Sequence, residues 1–204
     1  MLVKTLTVGQ LDTNCYVVTD EQTLGCVVID PGAESNTILE YIESNKLHCL
    51  AILVTHAHFD HITALPAVHR STGAKVYVCP KDVGLNLGSA GRGYTPPEGW
   101  IPYGEGDVIN FDGLEFHVLE TPGHTPGGVC LICGDALFSG DTLFRGSCGR
   151  TDFDGGDLME ELRSLKKLAE LPGEYDVFPG HDLSSTLSRE RAHNPYMLRA
   201  IQGI

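Results

Sequence analysis

Features that this sequence lacks already exclude several classes of protein. It contains no run of about 18 or more apolar residues, so we predict no transmembrane helix and no membrane partner. The first residues, Met1–Thr7, alternate apolar and polar side chains like a strand. They lack the basic start and apolar centre of a secretory signal, so we do not expect a secreted protein.

Basic residues are also scarce: the 204-residue chain has 14 Lys and Arg against 27 Asp and Glu, a formal net charge of −13. Nucleic acid binding requires a basic face for the phosphates, so this composition argues against nucleic acid as a partner. The overall field does not attract an anionic small molecule either. An anionic substrate would need metal ions or a well-placed Arg.

The seven cysteines are an odd number and lack the spacing of a small disulfide-linked scaffold. This pattern indicates reduced thiols and a cytoplasmic chain. Cys130 and Cys133 have the spacing of a zinc knuckle, but no second pair complements them. Residues three apart face opposite sides of a strand, so we interpret both as buried structural cysteines. For Cys148 a reactive role stays open beside a structural one.

The order of strand and helix patterns predicts the fold. Ala51–Val54 is a continuous apolar run, typical of a strand buried on both faces, and Asp157–Glu170 has apolar residues on one helical face. Neither a linker nor a composition break interrupts the chain, so we expect one domain over residues 1–204. Two similar halves of strands followed by a helix predict an α+β four-layer αββα sandwich. Two mixed sheets would lie face to face, with helices on both outer faces.

Two shorter helices and one long loop complete the predicted fold. Asp60-His61 should begin a short helix that ends near Gly73, and a single short helix is expected over Glu190–Ala200, around Asn194-Pro195. Residues 81–104, rich in Gly and Pro, are interpreted as a long loop beside the site.

What the sequence does contain is a cluster of potential metal ligands. Four of them lie within six residues: His56, His58, Asp60 and His61. Three more follow, each in a turn rich in Gly or Pro: His124, Asp141 and His181. Five imidazoles and two carboxylates are enough for two metal ions that share a bridging group.

The spacing divides these ligands into two sets. Residues two apart in an extended segment point to the same side, which predicts a first set of imidazoles: His56, His58 and His124. Where the chain turns into a helix, the next side chains would point the other way, which predicts a second set: Asp60, His61 and His181. Asp141 is the natural bridge, because a carboxylate can bind one ion with each oxygen.

Such a centre predicts hydrolytic chemistry. A metal lowers the pKa of bound water from about 16 to about 7 and so provides hydroxide at neutral pH. We expect Asp141 to hold both ions and Asp60 to orient the attacking water. Asp30 has two interpretations, as an acceptor for the N–H of a ligand imidazole or as a turn-forming residue before Pro31. A metal-binding scaffold without catalysis is the non-enzymatic alternative.

Four motifs, in this order, resemble the metallo-β-lactamase superfamily. They are His-x-His-x-Asp-His at 56–61, Pro-Gly-His-Thr-Pro-Gly at 122–127, Ser-Gly-Asp-Thr-Leu-Phe at 139–144 and Pro-Gly-His at 179–181. The resemblance extends over nearly the whole chain. It implies an αββα sandwich with the metal site at one edge, in agreement with the architecture inferred above.

Within this superfamily the chain resembles the glyoxalase II group, the hydroxyacylglutathione hydrolases. That resemblance implies hydrolysis of an anionic thioester such as S-lactoylglutathione. Lactamases typically carry Cys at the position of Asp141, which disfavours β-lactam hydrolysis. In glyoxalase II a basic residue at the position of Arg150 helps to hold glutathione, so Arg150 is the substrate-binding candidate. Arg145 and Tyr94, in loops expected to border the cleft, are further candidates.

The chain departs from the glyoxalase II pattern in two places. Asp152 occupies the position where the glutathione-binding enzymes have Tyr, and no extra C-terminal helical domain follows Asn194-Pro195. Both departures concern glutathione contacts and leave the hydrolytic motifs intact. The ending resembles that of short bacterial glyoxalase II-like hydrolases.

The persulfide dioxygenase branch is the rival resemblance. It shares the ligand positions and the Gly149–Phe153 segment, but it uses one iron, held by the equivalents of His56, His124 and Asp141. The Asp141–Ser147 stretch and the C-terminal segment favour the hydrolase. Its cofactors would be two divalent ions per chain, with Zn expected first and Fe or Mn as alternatives. A monomer and a homodimer both stay open.

Overall fold

In the computed structural model, which describes residues 1–86 and 93–203, two six-stranded sheets form the centre of the molecule. The first sheet holds its strands in chain order: β1 (Leu2–Val8), β2 (Thr13–Thr19), β3 (Gly25–Ile29), β4 (His48–Val54), β5 (Lys75–Val78) and β6 (Ile101–Pro102). The second sheet runs from edge to edge as β7 (Val108–Phe111), β8 (Leu114–Glu120), β9 (Val129–Cys133), β10 (Ala136–Gly140), β13 (Asp176–Pro179) and β14 (Ser185–Thr186). A short hairpin of β11 (Leu143–Phe144) and β12 (Ser147–Cys148) follows β10.

Both sheets are mixed. In the first sheet β1, β2 and β3 are antiparallel, whereas β3 to β6 are parallel. In the second sheet β7 to β10 are antiparallel and β10 pairs with β13 in parallel. Parallel pairs need long crossover connections, and helices supply most of them here. The described residues form these α-helices: α1 (Ser35–Ser44), α2 (Phe59–Ile62), α3 (Leu65–Thr72), α4 (Leu158–Ala169), α5 (Leu187–His193) and α6 (Pro195–Gln202).

Three layers of apolar side chains establish the order of the sandwich. Ile38 of α1 and Leu65 of α3 pack with one face of the first sheet. Phe138 belongs to the layer between the two sheets. Leu165 of α4 and Met197 of α6 pack with the far face of the second sheet. The four-layer αββα sandwich with two mixed sheets, which the sequence predicts, is therefore confirmed.

Two segments predicted to form one continuous helix each are divided into two helices. The helix expected over Glu190–Ala200 is two helices, because Pro195 has no N–H and disfavours helical backbone at the residue before it. Asn194 is accordingly extended, with φ −75° and ψ 116°. The helix expected to end near Gly73 divides into α2 and α3, with Pro66 in the first turn of α3, where its missing N–H costs no hydrogen bond.

The loop expected over residues 81–104 is also partly structured. It begins within a 3₁₀ turn, Pro80–Asp82, and includes β6, which extends the parallel part of the first sheet. Residues 87–92 of this segment lie outside the described residues. Nowhere in residues 1–86 or 93–203 does a helix combine the length and apolarity needed to cross a membrane.

The loops that carry the predicted ligands meet at one edge of the sandwich. The four-ligand run follows β4 of the first sheet. The remaining three ligands follow β8, β10 and β13 of the second sheet: His124, Asp141 and His181. Residues from the two sheets, distant in sequence, thus share one site.

Candidate metal centre

The backbone after β4 sends the clustered ligands in two directions. The strand ends at Val54, and His58 is still extended, with φ −63° and ψ 147°. The helix α2 begins at the next residue, so Asp60 and His61 leave the backbone from a helical turn. This change from extended to helical backbone is the reason that one short run can serve two groups of ligands.

The first group contains the three imidazoles predicted for one ion. Ring nitrogens of His56, His58 and His124 lie within 4.8 Å of one another. The Nδ1 of His58 is 2.8 Å from the Nε2 of His124. The Oδ2 of Asp141 lies 3.4 Å from the Nε2 of His124 and 3.9 Å from that of His56.

The second group contains the carboxylate and two imidazoles predicted for the other ion. Ligand atoms of Asp60, His61 and His181 also lie within 4.8 Å of one another. The Oδ1 of Asp141 is 3.4 Å from the Nε2 of His61, and its Oδ2 is 3.6 Å from the Nε2 of His181. The structure therefore brings all seven predicted ligands together, with Asp141 between the two groups.

Hydrogen bonds on the outer side of three imidazoles fix which nitrogen carries the proton. The Nδ1 of His61 lies 3.0 Å from the Oδ2 of Asp30, and the Nδ1 of His124 lies 2.7 Å from the carbonyl oxygen of Arg150. The Nδ1 of His181 lies 2.9 Å from the carbonyl oxygen of Leu11. These acceptors require an N–H at Nδ1, so in the neutral rings each Nε2 presents a lone pair to the centre.

Lone pairs that face each other need a cation between them. The Nε2 atoms of His61 and His181 are 3.3 Å apart, and neither carries a proton in the tautomers described above. In addition, the Nε2 of His56 and the Oδ1 of Asp141 are buried without a hydrogen-bond partner among the described residues. This donor set, and these unpartnered atoms, fit divalent metal ions.

Without bound metal, the pKa shifts of the imidazoles favour metal binding in the first group, whereas in the second group protons compete with the metal. Burial, with the neighbouring His124, lowers the pKa of His58 to about 4, which keeps its lone pair free at neutral pH. Burial also acts to lower the pKa of His61, but the carboxylates of Asp141 and Asp30 outweigh it and raise that pKa. Protons and metal ions therefore compete for His61.

Asp30 has both of the roles that the sequence suggests, as an acceptor for a ligand imidazole and as a turn residue. Its Oδ2 bonds the His61 ring, and its carboxylate accepts hydrogen bonds from the backbone N–H of Thr55 at 2.7 Å and from the Thr55 hydroxyl at 2.5 Å. The same residue makes the turn after β3 with a positive φ of 52°. Asp30 thus ties the end of β3 to the ligand run after β4.

Two buried acids that support the site were missed from the sequence. Asp82 accepts hydrogen bonds from the backbone N–H groups of Ala57 and Gly127, at 2.9 and 2.6 Å, and so joins the two loops of the first ligand group. Glu161 accepts the backbone N–H of His124 at 2.9 Å from the first turn of α4. Neither acid belongs to a motif, and only the folded chain brings them to the site.

Gly180 is required by the packing of the centre. A Cβ at this position would lie 2.2 Å from the Oδ1 of Asp141 and 2.7 Å from the Cε1 of His61. Asn14 fixes the same loop by donating to the carbonyl oxygens of Pro179 and Asp182, at 3.0 and 2.9 Å. The loop after β13 can therefore press directly against the ligand atoms.

The metal centre opens into a cleft of about 930 Å³. Arg150 lines this cleft, as predicted for a substrate-binding residue. Arg145 is exposed in the turn between β11 and β12 and does not line it. Tyr94 does not line it either: it is buried and borders a separate, smaller cavity beside α3. The loop of Arg145 does border the cleft, through Phe144 and Ser147, but the side chains of Arg145 and Tyr94 do not line it, because the direction of a side chain depends on tertiary packing.

Cys148 is a half-buried part of the cleft wall. Burial, and then the nearby carboxyl of Glu161, raises the pKa of its thiol to about 12. A thiol with such a pKa is a poor nucleophile at neutral pH. The geometry therefore favours the structural role over the reactive one.

Comparison with known proteins identifies the family. The sequence model of the metallo-β-lactamase superfamily matches residues 8–181. The chain belongs to this superfamily. This superfamily member is 37% identical to the probable metallo-hydrolase YqgX of Bacillus subtilis, and the similarity covers 93% of this chain and 94% of YqgX. It is also 30% identical to hydroxyacylglutathione hydrolase GloC of Haemophilus influenzae, over 97% of this chain and 98% of GloC.

Three solved structures share the fold of this chain. The B3 metallo-β-lactamase BLEG-1 superposes with a TM-score of 0.88 at 33% identity, covering 96% of this chain and 99% of its own. TTHA1623, solved in a di-iron-bound form, superposes with a TM-score of 0.83 at 39% identity, covering 95% of this chain and 100% of its own. ETHE1 from Myxococcus xanthus superposes with a TM-score of 0.83 at 30% identity, covering 98% of this chain and 90% of its own.

Proposed function

We propose that this superfamily member is a two-metal hydrolase of thioesters, acting on S-acylglutathione or a similar small acyl thiol. The observation that carries the proposal is the presence of two assembled ligand groups on either side of Asp141. One ion would be held by His56, His58 and His124, and the other by the second group: Asp60, His61 and His181. Zn is the first expectation, and the di-iron form of TTHA1623 supports Fe as an alternative.

The residues of the chain divide the work of hydrolysis. Ions bound in the two groups would supply hydroxide at neutral pH and polarise the thioester carbonyl. Asp141, between the groups, sets their separation, and Asp60 is held for its role by the Thr13 hydroxyl, which donates to its Oδ2 at 3.2 Å. Thiolate is a good leaving group, so the cleft does not need to provide a strong general acid.

The named relative supports the substrate class. GloC is described as a hydroxyacylglutathione hydrolase, and its similarity to this chain extends over nearly the full length of both proteins. We propose a small-molecule acyl thiol as the substrate, with S-lactoylglutathione as the first compound to test, and the cytoplasm as the place where the enzyme acts. Light scattering would decide between the monomer and homodimer that the sequence leaves open.

Mononuclear-iron persulfide dioxygenase activity is the second candidate. The Gly149–Phe153 segment and the similarity to ETHE1 both favour it. That activity needs one iron rather than two ions. Metal stoichiometry together with oxygen uptake therefore separates the two candidates.

The deciding experiment measures metal content by mass spectrometry and turnover on the same purified sample. About two ions per chain, hydrolysis of S-lactoylglutathione and no oxygen uptake on glutathione persulfide are the expected results. One iron with rapid oxygen uptake would overturn the hydrolase and establish the dioxygenase. A β-lactam is included because BLEG-1 is described as a lactamase, and no hydrolysis of it is expected.

A further inference from the structure

The guanidinium group of Arg150 is already occupied by its chain neighbours. Its Nε lies 2.7 Å from the Oδ1 of Asp152, and one terminal nitrogen lies 2.6 Å from the Oδ2. This two-bond geometry is the one in which Arg also binds the carboxylate of a ligand. The other side of the guanidinium stacks on the ring of Phe153, 3.9 Å from its centroid. A substrate carboxylate can take the Nε edge of Arg150 only by displacing Asp152, and one that binds the edge formed by the two terminal nitrogens meets a guanidinium whose charge Asp152 already balances.

This trio is attached to the metal centre and faces the cleft. The carbonyl oxygen of Arg150 receives the hydrogen bond from the His124 ring, and the Phe153 ring lies 5.9 Å from the ring of His58. All three side chains of the trio line the cleft. The backbone of Arg150 and the ring of Phe153 are therefore held next to ligands of the first group.

The remaining charges of the cleft are negative. Beyond the metal ligands, its described lining contains Arg150 as the one Arg or Lys, against three acids: Asp152, Asp154 and Asp182. The hydrogen bonds from Arg150 hold the pKa of Asp152 at about 2, so its carboxylate stays ionised at physiological pH. Displacing it would leave an unpaired negative charge close to the incoming anion.

Apolar side chains supply much of the rest of the lining. Leu11, Phe59 and Phe153 are each about half exposed, and all three border the same cleft. Phe144 contributes a further ring from β11. Uncharged, apolar groups can cover this surface without competing with any ion pair.

We propose that Asp152 is a specificity-determining residue that competes with substrate carboxylates for Arg150, so that the cleft favours acyl thiols without a carboxylate over S-acylglutathione. This inference rests on the proposed thioester hydrolysis and narrows its substrate class. Because the ion pair is exposed to solvent, the preference is modest, on the order of fivefold.

The test uses Asp152→Asn, which keeps the shape of the side chain and removes its charge. Asp154→Asn is the matched control, because Asp154 lines the same cleft and is not among the bonded partners of Arg150. Calorimetry on the metal-loaded proteins measures the Kd of S-hexylglutathione, a thioether that is not a thioester substrate, and of its uncharged-carboxyl form, the diethyl ester. Kinetics compare kcat/KM for S-acetylglutathione and for S-acetyl-N-acetylcysteamine, which carries no carboxylate.

Asp152→Asn should lower the Kd of S-hexylglutathione about fivefold, leave that of the diethyl ester within about twofold, and raise the kcat/KM ratio of charged to uncharged thioester by a similar factor. An unchanged Kd, or an equal effect of Asp154→Asn, would overturn the role of Asp152. If the Kd changes as expected but no thioester is turned over, the proposed hydrolysis is wrong, and the role of Asp152 in selecting ligands by charge is still supported.

Discussion

Asp141 is the residue on which both ligand groups depend, and its neighbours in sequence make its position possible. It follows Gly140, whose φ of 49° is one that L side chains rarely adopt. A Cβ on Gly140 would lie 2.5 Å from the hydroxyl of Thr55, so the second sheet can approach the ligand run of the first only with glycine here. The carboxylate is thereby placed between imidazoles from both sheets.

Substitution of a ligand should remove as many metal ions per chain as that ligand contacts. We expect His58→Ala to retain about one ion per chain and Asp141→Ala to lose both, because the Asp141 carboxylate lies next to imidazoles of both groups. Turnover of S-lactoylglutathione should fall at least ~100-fold in each variant, while circular dichroism shows the fold retained. His117→Ala is the control, since this imidazole is exposed on β8 and pairs with Glu115. Near-full activity of either ligand variant would contradict the assignment.

Cys148 provides a second test at the scale of a single residue. With its pKa raised to about 12, the thiolate fraction at pH 8 is on the order of 10⁻⁴. Alkylation of Cys148 by iodoacetamide at pH 8, followed by peptide mass spectrometry, should be at least ~100-fold slower than alkylation of free glutathione. The rate should rise steadily as the pH increases, because the titration lies far above neutrality. Fast labelling at pH 8 would restore the reactive role.

At the scale of elements, strands and their ends were the most predictable part of this protein. The run Ala51–Val54 is apolar without interruption because helices cover one face of β4 and the second sheet covers the other. A motif placed directly after such a strand has a defined location, which is why the grouping of the ligands could be inferred from spacing. The change from extended to helical backbone at His58 is local, and local sequence encodes it.

Contacts between distant elements could not be inferred in the same way. Asp82 and Glu161 support the ligand loops through single hydrogen bonds across the fold, and an isolated acid in a sequence carries no signal of that kind. Tyr94 turns away from the cleft because it packs with the apolar layer beside α3, a preference shared by many loop aromatics. Spacing constrains a backbone, whereas the direction of a loop side chain depends on the whole fold.

The junction of α5 and α6 shows what one such long-range contact stabilises. The Oδ1 of Asn194 accepts the backbone N–H groups of Tyr196 and Met197 at 3.0 and 3.2 Å, which caps α6. Its Nδ2 donates to the carbonyl oxygens of Phe144 and Ser147, at 3.2 and 2.9 Å, in the hairpin that forms one wall of the cleft. The C-terminal helices thereby hold the cleft wall in place.

Asn194→Ala should therefore destabilise the protein by about 3 kcal/mol, from the lost cap and the buried carbonyl groups left without a donor. Urea unfolding of the metal-loaded protein measures this change. Asn45→Ala is the matched control: Asn45 also follows a helix, but its side chain makes an exposed hydrogen bond to Tyr41, so its loss should cost at most about 0.5 kcal/mol. Equal effects of the two substitutions would show that the long-range contacts contribute little.

At the scale of the whole molecule, the two ligand groups join the two sheets at one edge. Each group combines residues that follow β4 of the first sheet with residues that follow strands of the second. Without ions, the Nε2 atoms of His61 and His181 lie 3.3 Å apart, and the raised pKa of His61 means that a proton takes the place of the metal in this group. We therefore expect bound ions to help hold the two sheets together at the site, whereas the apolar layer between the sheets joins them elsewhere.

Removal of metal should accordingly lower the thermal stability without unfolding the protein. An ion present at 1,000 times its Kd stabilises the native state by about 4 kcal/mol, which for a domain of this size corresponds to a Tm shift of about 10 °C. We expect this fall after dialysis against a chelator and recovery on return of Zn, measured by differential scanning calorimetry. Hydrogen exchange should increase in the loops after β4 and β13, while β2 and β3, buried along their full length, stay protected. A Tm that chelation leaves unchanged would mean that the folded chain holds its ligand loops together without the ions, and that these contribute chemistry but no stability.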